Sequence, residues 1–279
     1  MKKIRYIFII IILLTCSSCS TYDSINYKDI MKVHFIDVGQ GDAILVQVNN
    51  INLLIDSGPK ENKRDLLNYL DSLKISTLDY VIATHPHEDH IGNMHSIINR
   101  YNVTYFYSPK VTHTSKSFEK MIEALISKNK KINVLDVNTK SIDLGNHTSF
   151  TIYSPFPRDY GENLNLYSAV FKIKYKNTSF LFTGDAEKLN ENEILNNNIS
   201  IDADVLKVAH HGSSTSTSSA FLKEIDPKIA VISVGKDNKF NHPTKETLSN
   251  LDKQVKLIYR TDIDGTVILI SDGHRVYKK

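Results

Sequence analysis

The chain of 279 residues carries 34 Lys+Arg, 31 Asp+Glu and 11 His, a formal net charge of +3, with 41% hydrophobic and 23% charged residues. This is ordinary globular composition, long enough for one large domain or two small ones around a sizeable core. Cys16 and Cys19 are the two cysteines and both lie near the N-terminus, which excludes a disulfide framework from everything after them.

In chain order, Lys2, Lys3 and Arg5 precede an apolar run from Tyr6 to Leu14 and then small residues around Cys16 and Cys19, the pattern of a secretion signal. The run is about nine residues where a spanning helix needs roughly twenty, so a permanent transmembrane anchor is disfavoured. The stretch Leu14-Thr15-Cys16-Ser17-Ser18-Cys19-Ser20 resembles the lipobox of bacterial lipoproteins, which implies lipidation. Cys19 is the expected lipidated residue, because a small residue, Ser18, precedes it, whereas Thr15 precedes Cys16. Residues 1–19 are therefore expected to be a lipoprotein signal peptide, 20–30 a tether and 31–279 one hydrolase domain, lipid-anchored to the cell membrane on its extracytoplasmic side. Loss of Lys2, Lys3 and Arg5 leaves 31 basic against 31 acidic residues, so no bulk basic footprint for nucleic acid remains.

From Met31 onward strands are expected at 32–37, 42–48 and 51–56, the last two joined across Asn49-Asn50 as a hairpin. Leu78 to Thr84 is a short apolar run of a buried strand, and Ile91 to Arg100 has helical spacing. Strands at 103–107 and 132–137 bracket an amphipathic helix at 117–127. A second hairpin, 168–175 with 179–182, turns over Lys176-Asn177. Further strands at 205–209, 229–234, 256–259 and 266–271 alternate with helices at 220–225 and 245–251. No Pro/Gly/Ser-rich linker divides residues 31–279, and two similar halves of hairpins with flanking helices suggest two packed sheets with helices outside.

The run His85-Pro86-His87-Glu88-Asp89-His90 falls in the loop between the 78–84 strand and the following helix. His85 and His87 alternate on an extended backbone and can share one ion, while Asp89 and His90 at the turn can reach a second. Two ions about 3.5–4 Å apart clamp a substrate oxygen. A solvated loop with Asp89 as helix cap is the plain alternative, but capping does not call for three imidazoles.

Thr84-His85-Pro86-His87-Glu88-Asp89-His90-Ile91-Gly92 resembles the H-x-H-x-D-H signature of the metallo-β-lactamase superfamily, and further motifs follow in order. Leu53-Leu54-Ile55-Asp56-Ser57-Gly58 resembles its first motif, Phe182-Thr183-Gly184-Asp185 its fourth and Val208-Ala209-His210-His211-Gly212-Ser213 its fifth. The resemblance implies an αββα sandwich of two mixed β-sheets flanked by helices. It implies metal ligands at His85, His87, Asp89, His90, Asp185, which bridges two metals, and His210, with Asp56 supporting the metal loop. His211 is expected behind the ligands or facing substrate, and Asp37, with Gly39 and Gly41, either in a tight loop beside the metals or simply in a turn between strands. Asp89 and His242 are the expected catalytic residues, one orienting the attacking hydroxide and the other serving the leaving group. The superfamily usually supplies a further histidine before the bridging aspartate, and this chain offers Asn163-Leu164-Asn165-Leu166-Tyr167-Ser168 there.

More narrowly, Phe35-Ile36-Asp37-Val38-Gly39-Gln40-Gly41-Asp42-Ala43, the His-His-Gly-Ser run, and Ser233-Val234-Gly235 with Asn241-His242-Pro243 look like the hydrolase domain of competence DNA-uptake channel proteins and their stand-alone relatives. The function so implied is hydrolysis by a metal-bound hydroxide, of zinc first and manganese second, on a phosphodiester substrate that includes DNA at the cell surface. An ester or β-lactam hydrolase on the same site, or a surface-binding protein with weakened catalysis, are the alternatives, since the missing histidine leaves one metal with fewer ligands.

Overall fold

The computed structural model describes residues 30–197 and 199–279. The expected signal peptide with Cys19, and all but the last residue of the tether, lie outside the described residues. Among the described residues no helix is long and apolar enough to cross a membrane.

In chain order the elements are β1 (Met31–Phe35), β2 (Ile44–Val48), β3 (Ile51–Ile55), α1 (Lys63–Ser72), β4 (Thr77–Ile82), α2 (Glu88–Ile91), α3 (Met94–Arg100), β5 (Asn102–Ser108), α4 (Lys116–Ser127), β6 (Ile132–Val134) and β7 (Thr148–Ser154). There follow β8 (Val170–Tyr175), β9 (Thr178–Phe182), α5 (Lys188–Asn196), β10 (Val205–Lys207), α6 (Ser219–Ile225), β11 (Ile229–Ile232), α7 (Lys245–Gln254), β12 (Leu257–Arg260), α8 (Thr261–Asp264), β13 (Val267–Ser271) and β14 (Val276–Lys278). An eight-stranded sheet runs β14-β13-β1-β2-β3-β4-β5-β6, and a six-stranded sheet runs β12-β11-β10-β9-β8-β7. Both are mixed, with β3 to β6 and β9 to β12 parallel and the other neighbours antiparallel. The Asn49-Asn50 hairpin forms as expected: Val48 pairs with Ile51, and both asparagines take positive φ, 52° and 63°, as a two-residue turn demands.

Strand alternation divides the apolar side chains between three cores. Val33, Phe35, Val46 and Ile55 of the first sheet meet Phe171, Phe182 and Val231 of the second, with the Phe182 ring 5.3 Å from Phe171 and 6.4 Å from Phe35. The opposite positions Leu45, Leu54 and Val81 pack against Leu66, Leu70, Ile97 and Leu125 of α1, α3 and α4. On the second sheet Leu181, Leu206 and Ile232 pack against Ile194, Phe221, Leu222 and Leu251 of α5, α6 and α7. The result is the expected helix–sheet–sheet–helix sandwich. Covering both faces is why the central strands read as unbroken apolar runs.

The helix expected over 91–100 is split. Asn93 is buried, and its Nδ2 donates to the carbonyls of Ser57 at 3.1 Å and Pro59 at 2.6 Å. That tie fixes the 57–59 turn against the metal loop and ends α2 before α3 begins. The sequence reading also lacks α1, β7, α5, α8 and β14. Leu66 and Leu70 marked α1 by helical spacing, whereas α5 buries Asn190 and Glu191 with Ile194 and so has no apolar stripe.

Candidate metal centre

The site loops leave the carboxyl ends of β3, β4, β9, β10 and β11, where open α/β sheets present ligand crevices. Asp56, fully buried after β3, organises the loop after β4. Its carboxylate accepts the Thr84 amide at 2.8 Å and the Thr84 hydroxyl at 2.6 Å, and lies 2.8 Å from His90 Nδ1. His90 therefore donates through Nδ1 and turns its Nε2 lone pair outward from Asp56, the usual way a carboxylate fixes a ligating imidazole. The Thr84 oxygen, already donating to Asp56, sits 3.1 Å from His85 Nδ1 and accepts from it, leaving His85 Nε2 facing His87 Nδ1 at 2.9 Å. His211 Nδ1 lies 2.8 Å from the Ser233 carbonyl, which only accepts, so His211 also presents a bare Nε2.

These free nitrogens converge with two carboxylates. Asp89, His90, Asp185 and His211 each offer an atom, all within 4.8 Å of one another. His90 Nε2 is 3.3 Å from Asp185 Oδ1, and His211 Nε2 is 3.4 Å from both Asp185 Oδ2 and Asp89 Oδ2. His90 Nε2, His211 Nε2 and Asp185 Oδ1 are buried with no hydrogen-bond partner. Each such atom costs about 1–3 kcal/mol, and three aimed at one point form a cradle that a divalent cation satisfies. His85 Nε2 lies 4.0 Å from Asp185 Oδ2, with His87 Nδ1 2.9 Å from that nitrogen.

The electrostatics agree with a cation site. Burial opposes charge on His90, but Asp185, Asp56 and Asp89 outweigh it and raise this imidazole well above its ordinary value. His211 is likewise disfavoured by burial yet pushed up to about 10 by Asp185, Asp89 and Asp42. Without a cation, the surplus of carboxylates draws protons onto both ligands. Burial, with His90 nearby, holds His85 well below the usual imidazole range and lowers His87, so both stay lone-pair donors.

Where the sequence reading puts a ligand at His210, the structure brings His211 into the cluster. Both residues take left-handed backbone angles, φ 49° and 52°. The turn sends His211 inward, 1% exposed, and leaves His210 at the rim. His210 Nδ1 lies 3.1 Å from the Thr215 hydroxyl and its Nε2 3.7 Å from Asp185 Oδ2. His242 follows at the rim, its ring 5.6 Å from that of His210, with Nδ1 buried and unpartnered. Burial, then His210 and His211, lower its pKa. Asp37 is exposed and forms the turn, its Oδ1 accepting the Gly39 amide at 3.1 Å.

Three site residues escaped the sequence reading. Lys207, 1% exposed on β10, places Nζ 2.5 Å from Asp42 Oδ2. Asp42 in turn lies 3.6 Å from His211 Nδ1 and 3.8 Å from His90 Nδ1, behind both ligands. A lysine inside the apolar run Val205–Ala209 was the available signal. Asn165 occupies the segment where the superfamily's extra histidine is absent. Its side chain is bonded to Glu187 through Nδ2 at 2.9 Å, and its Oδ1 is buried and unpartnered.

Residues 36–236 match the family described as the Metallo-beta-lactamase superfamily. ComE operon protein 3 of Bacillus subtilis is 32% identical over 254 residues, covering 85% of this chain and 32% of that protein. Recombination protein 2 of Haemophilus influenzae is 28% identical over 261 residues, covering 92% of this chain and 31% of that one. The chain thus spans about a third of the length of these curated relatives. The crystal structure of the metallo-beta-lactamase fold protein YhfI from Bacillus subtilis superimposes with a TM-score of 0.55 at 15% identity, over 90% of this chain and all of that one, which shows a shared fold. A family match over most of the chain, on two mixed sheets between helices and with imidazoles and carboxylates converging at their edge, makes this chain a member of the metallo-beta-lactamase superfamily.

Proposed function

We propose that the protein is an exported phosphodiesterase, tethered by a lipid on Cys19, that cleaves nucleic-acid or related phosphodiesters at the outer face of the cytoplasmic membrane. The observation that carries the hydrolytic part is the convergence of the unpartnered His90 Nε2, His211 Nε2 and Asp185 Oδ1. The phosphodiester part is supported by the competence and recombination names of the relatives. The signal pattern and lipobox-like run at residues 1–19 support export.

His90, His211, Asp89 and Asp185 would hold one divalent cation, and His85, His87 and Asp185 a second, with the Asn165 oxygen beside them in place of the absent histidine. Zinc suits these imidazole and carboxylate donors best, and manganese is the alternative. Such ions supply Lewis acidity and lower the pKa of water toward neutrality. The chain does the rest. Asp89, with its side chain 29% exposed, is the carboxylate at the open side of the cluster and takes the proton of the attacking water. His242 and His210 line the rim and offer hydrogen bonds to the departing oxygen. Asp56 and the Ser233 carbonyl hold His90 and His211 in the tautomers that leave Nε2 free.

The test is metal content of the purified protein together with turnover of a bis-aryl phosphodiester, single-stranded DNA and a chromogenic β-lactam, with and without chelator. Chelator-sensitive cleavage of the diesters alone is expected, and turnover confined to the β-lactam would overturn the reading. His211→Gln loses bound metal and activity, while His210→Gln keeps its metal; the reverse outcome restores His210 as the ligand.

A further inference from the structure

The segment from Lys236 to His242 is a built loop. The Asn238 side chain ties it: Nδ2 donates to the carbonyls of Gly235 at 3.0 Å and His242 at 2.6 Å, and Oδ1 accepts the amides of Phe240 at 3.2 Å and His242 at 3.0 Å. Gly235 is anchored to the first sheet's loop through Gln40 Oε1 at 3.1 Å. The far end is anchored to the metal loop by the Thr244 amide on the Gly212 carbonyl at 2.9 Å. So many ties hold one large apolar side chain in water: Phe240 is 50% exposed. Its ring stacks on His242, centroids 5.7 Å apart at 25°, and His242 leads to His210 and Asp185. An aromatic ring thus stands two imidazoles away from the metal cluster.

The surrounding charge is suited to a phosphate chain. Lys236, Lys239 and Lys245 are exposed on this segment against Asp237 and Glu246. None of the three lysines enters an ion pair with a carboxylate among the described residues. Lys239 Nζ rests 5.1 Å from the Phe240 ring centre, an exposed cation–π contact weaker than base stacking, so a base displaces it and frees the ammonium for a phosphate.

We propose, resting on the phosphodiesterase reading, that Phe240 is a stacking platform for a base beside the scissile bond, with Lys236 and Lys239 taking the neighbouring backbone phosphates. The platform makes a single-stranded nucleic acid the preferred substrate, because a base held in a duplex cannot leave its stack to reach the ring. It supplies the aromatic–basic pairing that composition alone does not reveal in a chain without tryptophan.

The experiment measures equilibrium binding of the metal-loaded protein to a fluorescent phosphorothioate oligothymidylate, to a duplex of equal length, and to poly(glycerol phosphate), which has phosphodiesters and no bases. Phe240→Ala is expected to weaken oligothymidylate binding by about 5- to 150-fold, with little change for poly(glycerol phosphate). Phe240→Trp retains the affinity, and Ile126→Ala, which removes an exposed apolar side chain from α4, is silent. Unchanged oligothymidylate binding in Phe240→Ala, or equal losses on both polymers, overturns the platform. Turnover of the bis-aryl diester by the wild type reports separately on the phosphodiesterase reading, so the two can fail independently.

Discussion

Lys207→Met probes the buried support behind the metal ligands. Lys207 and Asp42 are both about 98–99% buried, with Nζ 2.5 Å from Oδ2, and Nζ also reaches the Gly184 carbonyl at 3.3 Å. At an effective dielectric near 20, opposite charges at this distance attract by about 6–7 kcal/mol, which offsets the cost of taking both ions out of water. Methionine keeps the shape of the stem and removes only the ammonium. Asp42 is then a carboxylate in a dry interior whose Oδ1 already lacks a partner. Breaking a buried pair in this way costs about 3–5 kcal/mol, about a fifth or more of a typical domain's stability, and lowers the melting temperature by about 6–20 °C for a chain of this size. Urea unfolding of chelated protein measures the loss directly. Because Asp42 sits 3.6 and 3.8 Å from the Nδ1 atoms of His211 and His90, metal affinity falls as well. The double variant Lys207→Met/Asp42→Asn recovers most of the stability, since no unpaired charge remains. A loss below about 1 kcal/mol in Lys207→Met would refute the buried-pair account.

His34 lies in the first sheet, 2.8 Å from the Tyr69 hydroxyl, and burial, aided by Lys32 and Lys279, lowers its pKa from 6.5 to about 4. The unfolded chain takes up this proton first as pH falls, so stability is full above pH 6.5 and declines by about 3 kcal/mol by pH 4. His34→Gln removes that share of the acid slope, read as the difference between wild-type and variant unfolding energies at each pH; identical slopes would disprove the assignment. Asp56→Asn leaves the loop in place but loses the anionic partner of His90, and metal affinity measured by chelator competition drops about 10- to 100-fold. Gly41→Ala puts a methyl 2.2 Å from the Asp89 carbonyl, and the forced shift of the metal loop costs about 1–3 kcal/mol in thermal unfolding along with reduced metal binding. A Gly41→Ala protein of unaltered stability and metal content would contradict the close approach.

Much of this protein was written locally. The Asn49-Asn50 turn, the β8–β9 hairpin and the central apolar strands follow from residue type and period, because side-chain alternation and left-handed turn residues act over a few positions. His85, His87, Asp89 and His90 share a loop, so spacing alone brings them to one place. The elements lost were those whose local signal is weak: α5 presents Asn190 and Glu191 to the interior, where Glu191 accepts the Ser218 amide at 3.0 Å and also caps the Thr217 amide.

What depended on tertiary structure is everything decided between distant segments. His210 and His211 are adjacent in sequence and equally competent as ligands; only the left-handed turn after β10, with the Ser233 carbonyl waiting on β11's loop, selects His211. Asp42 and Lys207 are 165 positions apart and meet only because the two sheets pack face to face. Phe240 reads in sequence as one more aromatic residue, and becomes a site feature when Asn238 ties its loop so that the ring stacks on His242 at the rim. Sequence fixes which chemistry is available, since residue types and short spacings are local. The choice among neighbours, and the charges that stand behind them, belongs to packing.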